Sequence, residues 1–355
     1  MTAWRAAERI LAVRLDTLGD VLMTTPAIRA LKAGRPDRRV TLLTSSLGAA
    51  VARLVGEIDD VLVYDAPWLK ATAARKDGAS DRAMASRLRR RRFDAAVVFT
   101  VYSQNPLPSA MLCFLADIPL RLAHCRENPY QLLTEWVADP EPERIVRHEV
   151  RRQLDLVGTI GCRTDDERLS LRVSEAARHV ARIRLDAAGI DRTREWVVVH
   201  PGARAASRRY PPEAFASACR RLVVERGCQI VFTGDASERA VIDRVRAAMD
   251  VPAVSVAGDL PLGELAALIA EAALLISNNT GPVHIAAAVG TPVVDLYALT
   301  NPQHTPWAVP HRVLSHDVPC KYCYKSACPA GHHLCLRGVS PAAVVSAAHD
   351  LLGPR

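Results

Sequence analysis

Short apolar runs of strand length alternate along this chain with longer helix-forming stretches, and that alternation restricts the fold more than any other feature. The runs occupy residues 10–13, 40–43, 61–64, 95–100, 196–199, 229–233, 273–276 and 293–297. Strands separated by helical segments argue for parallel sheets with crossover helices, because parallel neighbours cannot be joined by a tight turn. The runs form two series, and each opens with a strand that feeds a loop and a helix, as doubly wound nucleotide-binding domains do. A chain of 355 residues exceeds what one hydrophobic core organises, which agrees with two domains.

The charged stretch 164–195, with a predicted helix over 174–188, separates the two series. The expected division is a Rossmann-like domain over 1–165, a linker with its helix over 166–195, a second Rossmann-like domain over 196–340 and a terminal helix in 341–355. Residues 77–80 with Arg87, Arg89, Arg90, Arg91 and Arg92 read as a solvated helix end with a loop rather than a binding patch. With 49% hydrophobic and 24% charged residues the chain is globular and not disordered. Its early apolar run, 10–13, is too short for a signal-peptide core or a spanning helix, which predicts a cytoplasmic location. A formal charge of +8 points to an anionic partner without choosing among nucleotide phosphate, acidic glycolipid, membrane surface and nucleic acid. Nucleic acid is disfavoured, since no helix-turn-helix, zinc-finger or basic-aromatic pattern accompanies the arginines.

Directly after the first run stands Arg14-Leu15-Asp16-Thr17-Leu18-Gly19-Asp20. In an open α/β sheet the carboxyl end of a strand is where ligands are met. Gly19 allows a tight turn, and Asp20 falls at the start of the helix running toward Leu31, so its carboxylate reads equally as an N-cap or a general base. The second series opens with a strand ending in His200-Pro201-Gly202-Ala203-Arg204, followed by Ser207-Arg208-Arg209-Tyr210-Pro211. A glycine loop with arginines behind it suits a diphosphate, because guanidinium pairs bidentately with phosphate oxygens; ordinary surface arginines are the competing interpretation. The most specific stretch is Ser277-Asn278-Asn279-Thr280-Gly281-Pro282-Val283-His284. There a strand stops, a polar turn follows, and Pro282 sits where a first helical turn tolerates proline. Amides at such a helix start can hold a phosphate, with the Thr280 hydroxyl adding a donor. Glu238, after the run 229–233, suits either ribose hydroxyls or a solvent-facing helix start.

In this order, the Gly19-Asp20 loop, the His200-Pro201-Gly202 loop with its basic-aromatic-proline tail, Gly234 with Glu238, and Thr280-Gly281-Pro282 with His284 resemble glycosyltransferase family 9. These are the bacterial heptosyltransferases of lipopolysaccharide core assembly, and the similarity spans essentially the whole chain. The resemblance implies an α/β GT-B fold, two Rossmann-like doubly wound domains facing across a cleft, with acceptor on the first and nucleotide-sugar donor on the second. It implies an inverting, metal-independent transfer of a heptose or related sugar from an ADP-sugar to a lipopolysaccharide-core or other glycan acceptor, with no catalytic cofactor. Asp20 would be the general base, with Asp16 and Gly19 in the acceptor-side loop. Gly202, Arg208, Arg209, Glu238, Asn279, Thr280, Gly281, Pro282 and His284 would bind the donor. Among these, Arg208 stands where the family usually has lysine and would neutralise the diphosphate, and Glu238 would hold the ribose. An anionic glycolipid acceptor fits the positive charge and admits peripheral contact with the inner membrane. Two departures, Asn279 where many members have Asp and Ala298 where glycine is common, imply a different donor or acceptor preference. A nucleotide-sugar-binding protein without transferase activity and a GT-B sugar-nucleotide epimerase are the competing functions; an epimerase would alter its nucleotide sugar without an acceptor.

Cys320, Cys323, Cys328 and Cys335 form a C-x2-C-x4-C-x6-C array. Four soft ligands with a close first pair suit a tetrahedral zinc or iron site, against a disulfide or redox pair or inert thiols. Lying beyond the phosphate loops, the array is expected to hold a structural rather than a catalytic ion. Cys113, Cys125, Cys162, Cys219 and Cys228 read as isolated, mostly buried residues.

Overall fold

The computed structural model describes residues 2–70, 72–258 and 260–354. The chain divides into two compact units after Leu171. The first carries β1 (Arg9–Val13), β2 (Arg39–Thr44), β3 (Asp60–Val63), β4 (Ala95–Val98), β5 (Leu120–Cys125) and β6 (Glu135–Ala138), all parallel, in the order β3-β2-β1-β4-β5-β6. The second carries β7 (Trp196–His200), β8 (Gln229–Phe232), β9 (Val254–Ser255), β10 (Leu274–Asn278), β11 (Val293–Leu296) and β12 (His311–Leu314), again parallel, in the order β12-β11-β10-β7-β8-β9. Counted from its own first strand, the second sheet repeats the order of the first, which is that of a doubly wound dinucleotide fold. Each order reverses between its first and fourth strands, β1 against β4 and β7 against β10. At such a switch point the following loops part to opposite faces and open a crevice.

Ile10, Leu11, Ala12 and Val13 are almost wholly enclosed, as are Val197, Val198 and Val199, the pattern of a sheet covered by helices on both faces. The strands absent from the expected series are those without a continuous apolar run. Arg121 and His124 interrupt β5, β6 reads Glu-Trp-Val-Ala at an edge, β9 has two residues and β12 reads His-Arg-Val-Leu. Their strand character comes from pairing with an already formed neighbour, not from local pattern.

The arginine run lies mostly on the helix Ala79–Arg91, whose inner face is Met84, Ala85 and Leu88, while Arg87, Arg89 and Arg90 point to solvent. Arg92 ends it in a left-handed conformation at φ 50°. The helix Glu175–Ala187, capped by the Ser174 hydroxyl, packs on Leu262–Glu271 through the Arg182–Glu271 pair at 2.6 Å, so it is part of the second unit. The final helix, Pro341–Leu352, lays Val344, Val345 and Ala348 into the same unit's core. Among the described residues no helix is long and apolar enough to cross a membrane.

Candidate active site

In the first unit the switch point is organised by one buried cation. Arg14, immediately after β1, is fully enclosed and gathers Asp16 at 3.0 Å, Asp20 at 3.2 Å and Glu149 at 2.8 Å. The Asp16 contact is ionic without hydrogen-bond alignment, whereas Asp20 and Glu149 accept hydrogen bonds. Glu149 opens the helix Glu149–Gly158 and also accepts from Gln153 at 2.6 Å. Gln153 and Arg152 each donate at 3.0 Å to the carbonyl of Thr100, just beyond β4, which fastens this helix to the switch point. Asp16 accepts from Gln104 at 2.6 Å. Burial pushes the Asp16 carboxyl up to about 6 against the pull of Arg14, with Asp20 adding to the rise. Burial likewise raises Glu149, again with Arg14 opposing.

Asp20 is not the N-cap. That residue is Thr17, the helix is Leu18–Ala33, and Asp20 is its third residue. One Asp20 oxygen accepts from the Thr17 amide at 3.1 Å and the Thr17 hydroxyl at 2.9 Å, while the other faces Arg14. Capping and catalysis therefore do not exclude each other for this side chain: the capping contacts use one oxygen and hold the carboxylate at the carboxyl end of β1. Gly19 is buried in the same turn.

In the second unit the loops after β7 and β10 are stitched by Asn278. Its amide donates to the carbonyls of Pro201 at 2.7 Å and Gly202 at 3.3 Å, and its oxygen accepts from the Tyr210 amide at 3.0 Å. Glu238 lies directly on this loop: a Cβ at Gly202 would stand 1.9 Å from its Oε1, so a side chain there would displace the carboxylate. The carboxylate is held by the Asp235 amide at 2.9 Å, and burial raises its pKa. His200 contacts Thr233 at 3.1 Å and Glu238 at 3.5 Å. Because burial lowers its pKa to about 4, it is neutral at pH 7 and supplies no positive charge to a phosphate.

Thr280 is the N-cap of the helix Gly281–Val289, but its hydroxyl donates back to the Asn278 carbonyl at 3.2 Å and no side chain caps the first turn, which contains Pro282. His284 is buried in this helix. Arg208 ends the short turn Ala206–Arg208; its field reaches Asp295 and Tyr297, and no carboxylate among the described residues lies at ion-pair distance from it. Arg209 donates to the Ala203 carbonyl at 2.8 Å and its charge acts on Glu238. Asn279 turns the other way, toward Asp295. A helix start without a side-chain cap and a guanidinium with no carboxylate at ion-pair distance each suit an anion. By contrast, a groove of about 510 Å³ lined by Arg9, Arg39, Asp59 and Asp60 lies at the amino ends of β1–β3, the opposite end of that sheet from its own switch point.

The structure does not bear out the metal site. Cys320, Cys323, Cys328 and Cys335 are free thiols, and among the described residues no group of three or more His, Cys, Asp or Glu is close enough to hold an ion. Burial pushes the Cys328 thiol up, but the amides of His333, Ala330, Gly331 and His332 outweigh it and hold the thiol below its usual range. Nor is this loop remote from the phosphate loops. The carbonyls of Lys325 and Ser326 accept from the Ser207 hydroxyl at 2.8 Å and amide at 3.1 Å, so the loop braces the turn that carries Arg208. The five other cysteines are buried.

Residues 82–334 match glycosyltransferase family 9 (heptosyltransferase). The chain belongs to glycosyltransferase family 9. It is accordingly a glycosyltransferase. This family 9 chain is 25% identical to lipopolysaccharide heptosyltransferase 2 of Salmonella typhimurium, over 97% of its own length and 98% of the relative's. A family 9 glycosyl transferase from Veillonella parvula superposes with a TM-score of 0.80 at 23% identity, covering 97% of both chains. The E. coli ADP-heptose LPS heptosyltransferase II superposes at 0.75 and 22% identity, covering 97% of this chain and 98% of that one. At these identities the solved structures speak for the fold, the paired Rossmann-like domains of the GT-B class.

Arg14, Gln104, Glu149, Asn278 and Asp295 join the site without having been singled out as site residues in the sequence. Asp295 did leave a signal, a carboxylate inside the apolar run Val293-Val294-Asp295-Leu296. Glu149, 135 residues from its partner Arg14, left none.

Proposed function

We propose that this enzyme transfers a heptose from ADP-heptose to a hydroxyl of a lipopolysaccharide-core or related glycan acceptor, with inversion and without a catalytic metal. The observation that carries this assignment is the pairing, within a family 9 chain, of a base-type carboxylate site at the first switch point with an anion site at the second. Asp20 takes the proton of the acceptor hydroxyl, whose oxygen attacks the anomeric carbon from the face opposite the diphosphate. The bond from that carbon to the diphosphate breaks, and ADP leaves with the bonding electron pair. One displacement inverts the anomeric configuration. The charge on the leaving group is met by Arg208 and the amides at the start of Gly281–Val289, a preorganised electrostatic environment that removes the need for Mg²⁺. Glu238, beside Gly202, is placed to accept from ribose hydroxyls. The division of labour makes the first unit, through Asp16, Gly19 and Asp20, the acceptor side and the second unit the donor side. An anionic glycolipid acceptor would bring the enzyme to the cytoplasmic face of the inner membrane by peripheral contact.

Titration calorimetry with ADP, UDP and GDP tests the donor assignment, and ADP should bind tightest; a clear UDP preference would overturn it. Turnover of ADP-heptose with a truncated core acceptor should release ADP at the same rate with or without EDTA. Alteration of the nucleotide sugar in the absence of acceptor would replace transfer by epimerisation.

A further inference from the structure

Asn279 departs from the carboxylate that the family resemblance places at this position, and the carboxyl group is found one strand away. Asp295, on β11, is wholly enclosed, and its Oδ2 accepts from the Asn279 side-chain amide at 2.8 Å. The second proton of that amide goes to the His304 carbonyl at 2.9 Å. The Asn279 backbone is itself fastened to β11 by its N–H to the Leu296 carbonyl at 3.1 Å. The amide can take only one orientation here. A backbone carbonyl is always an acceptor, so turning the side chain over would set the Asn279 oxygen against the His304 oxygen. With both N–H groups committed, the oxygen is the part left to meet a ligand. Asn279 immediately precedes Thr280 and the helix start proposed to grip the diphosphate.

Asp295 has no other evident reason to be where it is. It interrupts an apolar strand, its Oδ1 has no hydrogen-bond partner, and the Oε1 of Gln303, next to His304, is enclosed and unmatched as well. An enclosed, half-satisfied carboxyl is costly, and a hydrophobic residue would pack the strand better. Arg208 acts on Asp295 through space, so this polar cluster borders the cation proposed for the diphosphate.

We propose that Asp295 is a positioning residue for the donor sugar: by holding the Asn279 amide it presents the Asn279 oxygen as a neutral acceptor to a sugar hydroxyl. This inference rests on the donor assignment above and deepens it. The acceptor function expected of a carboxylate at 279 is kept, while the acidic group is moved behind it into the protein. An uncharged acceptor gives no charge preference for donors whose sugar carries an ammonium group and tolerates acidic sugars that a carboxylate at 279 would repel.

The test is a swap, read as the ratio of nucleotide-sugar affinity to affinity for the bare nucleoside diphosphate, using whichever nucleotide the wild type prefers. Asp295→Asn replaces the carboxyl by an amide that can turn its own N–H groups against the Asn279 donor, and should weaken nucleotide-sugar binding by about tenfold, the worth of one good hydrogen bond. Binding of the bare diphosphate should stay within about twofold. Asn279→Asp sets two carboxyls at hydrogen-bond distance and should be at least as damaging. The double variant Asn279→Asp/Asp295→Asn should bind the nucleotide sugar better than the product of the two single losses, a coupling confined to the nucleotide sugar, whereas a purely structural role would spread it equally to the bare diphosphate. Equal losses for sugar nucleotide and bare diphosphate, or strictly additive effects, overturn the proposal. If wild type binds the diphosphate but gains nothing from the sugar, the inference fails while the nucleotide assignment stands; if it binds neither, both fail.

Discussion

Replacing Arg14 by Gln tests whether one buried cation sets the ionisation of the carboxylate cluster at the first switch point. The guanidinium is the shared partner of Asp16, Asp20 and Glu149 at 3.0, 3.2 and 2.8 Å, and its side chain and that of Glu149 are both wholly enclosed. Removing one member of such a buried cluster leaves uncompensated charge and costs about 3–5 kcal/mol, a large part of the roughly 5–15 kcal/mol that holds a domain folded. The loss should depend on pH in a defined direction. Burial already lifts Asp16 to about 6, above its unfolded value, and Arg14 opposes that rise. Without Arg14 the folded Asp16 and Glu149 carboxyls climb further, because the cation that opposes their rise is gone. The folded state then binds more protons than the unfolded one, so stability falls as pH rises from the unfolded carboxyl range through the elevated folded values. The variant should therefore melt closest to wild type near pH 5 and furthest below it near pH 8. In turnover, the acid limb of the kcat/KM profile should move to alkaline pH in the variant, because the carboxylate base loses the cation that favours its ionised form. Calorimetric melts across pH and an initial-rate pH series measure both effects, with Arg14→Lys, which keeps the charge, expected to restore much of each. Wild-type stability and an unmoved acid limb in Arg14→Gln would refute the account.

Asp20→Asn should abolish transfer while ADP binding stays within about twofold; full turnover would reduce Asp20 to its capping role. Gly202→Ala forces Glu238 off its seat, since the new Cβ would lie 1.9 Å from Oε1, and should weaken ADP by about tenfold in a calorimetric titration with little change in melting temperature. Arg208→Ala should weaken ADP binding more than adenosine binding, because only ADP carries the diphosphate, with equal losses excluding a phosphate role. Burial pushes Asp295 up to about 8 against its Asn279 hydrogen bond, so its contribution to stability declines as pH rises from about 4 toward 8. Denaturant unfolding of Asp295→Asn should show a flatter pH dependence over that window.

The phosphate-end motifs and the doubled strand–helix alternation were legible in the linear chain because each depends on neighbours within a few residues. A glycine needed for close approach, a proline in a first helical turn and an apolar strand leave their marks locally. Gly202, Glu238 and Thr280 follow the carboxyl ends of β7, β8 and β10, which are neighbours in the sheet. Tertiary structure alone decided what has no local signature. The polar strands β5, β6 and β12 exist because a formed neighbour offers its ladder, and Glu149 reaches Arg14 only through the fold. The cysteine array shows the opposite failure. Its spacing suits a metal, and Cys320, Cys323 and Cys328 all lie near enough to act on Cys335, yet among the described residues no group is close enough to hold an ion. Spacing along a chain states which ligands are available, and only the path of the backbone sets the distances between them. Asn279 and Asp295 join both lessons: the substitution is visible in the sequence, but the carboxyl that stands behind it sixteen residues later is brought there by the pairing of β10 with β11.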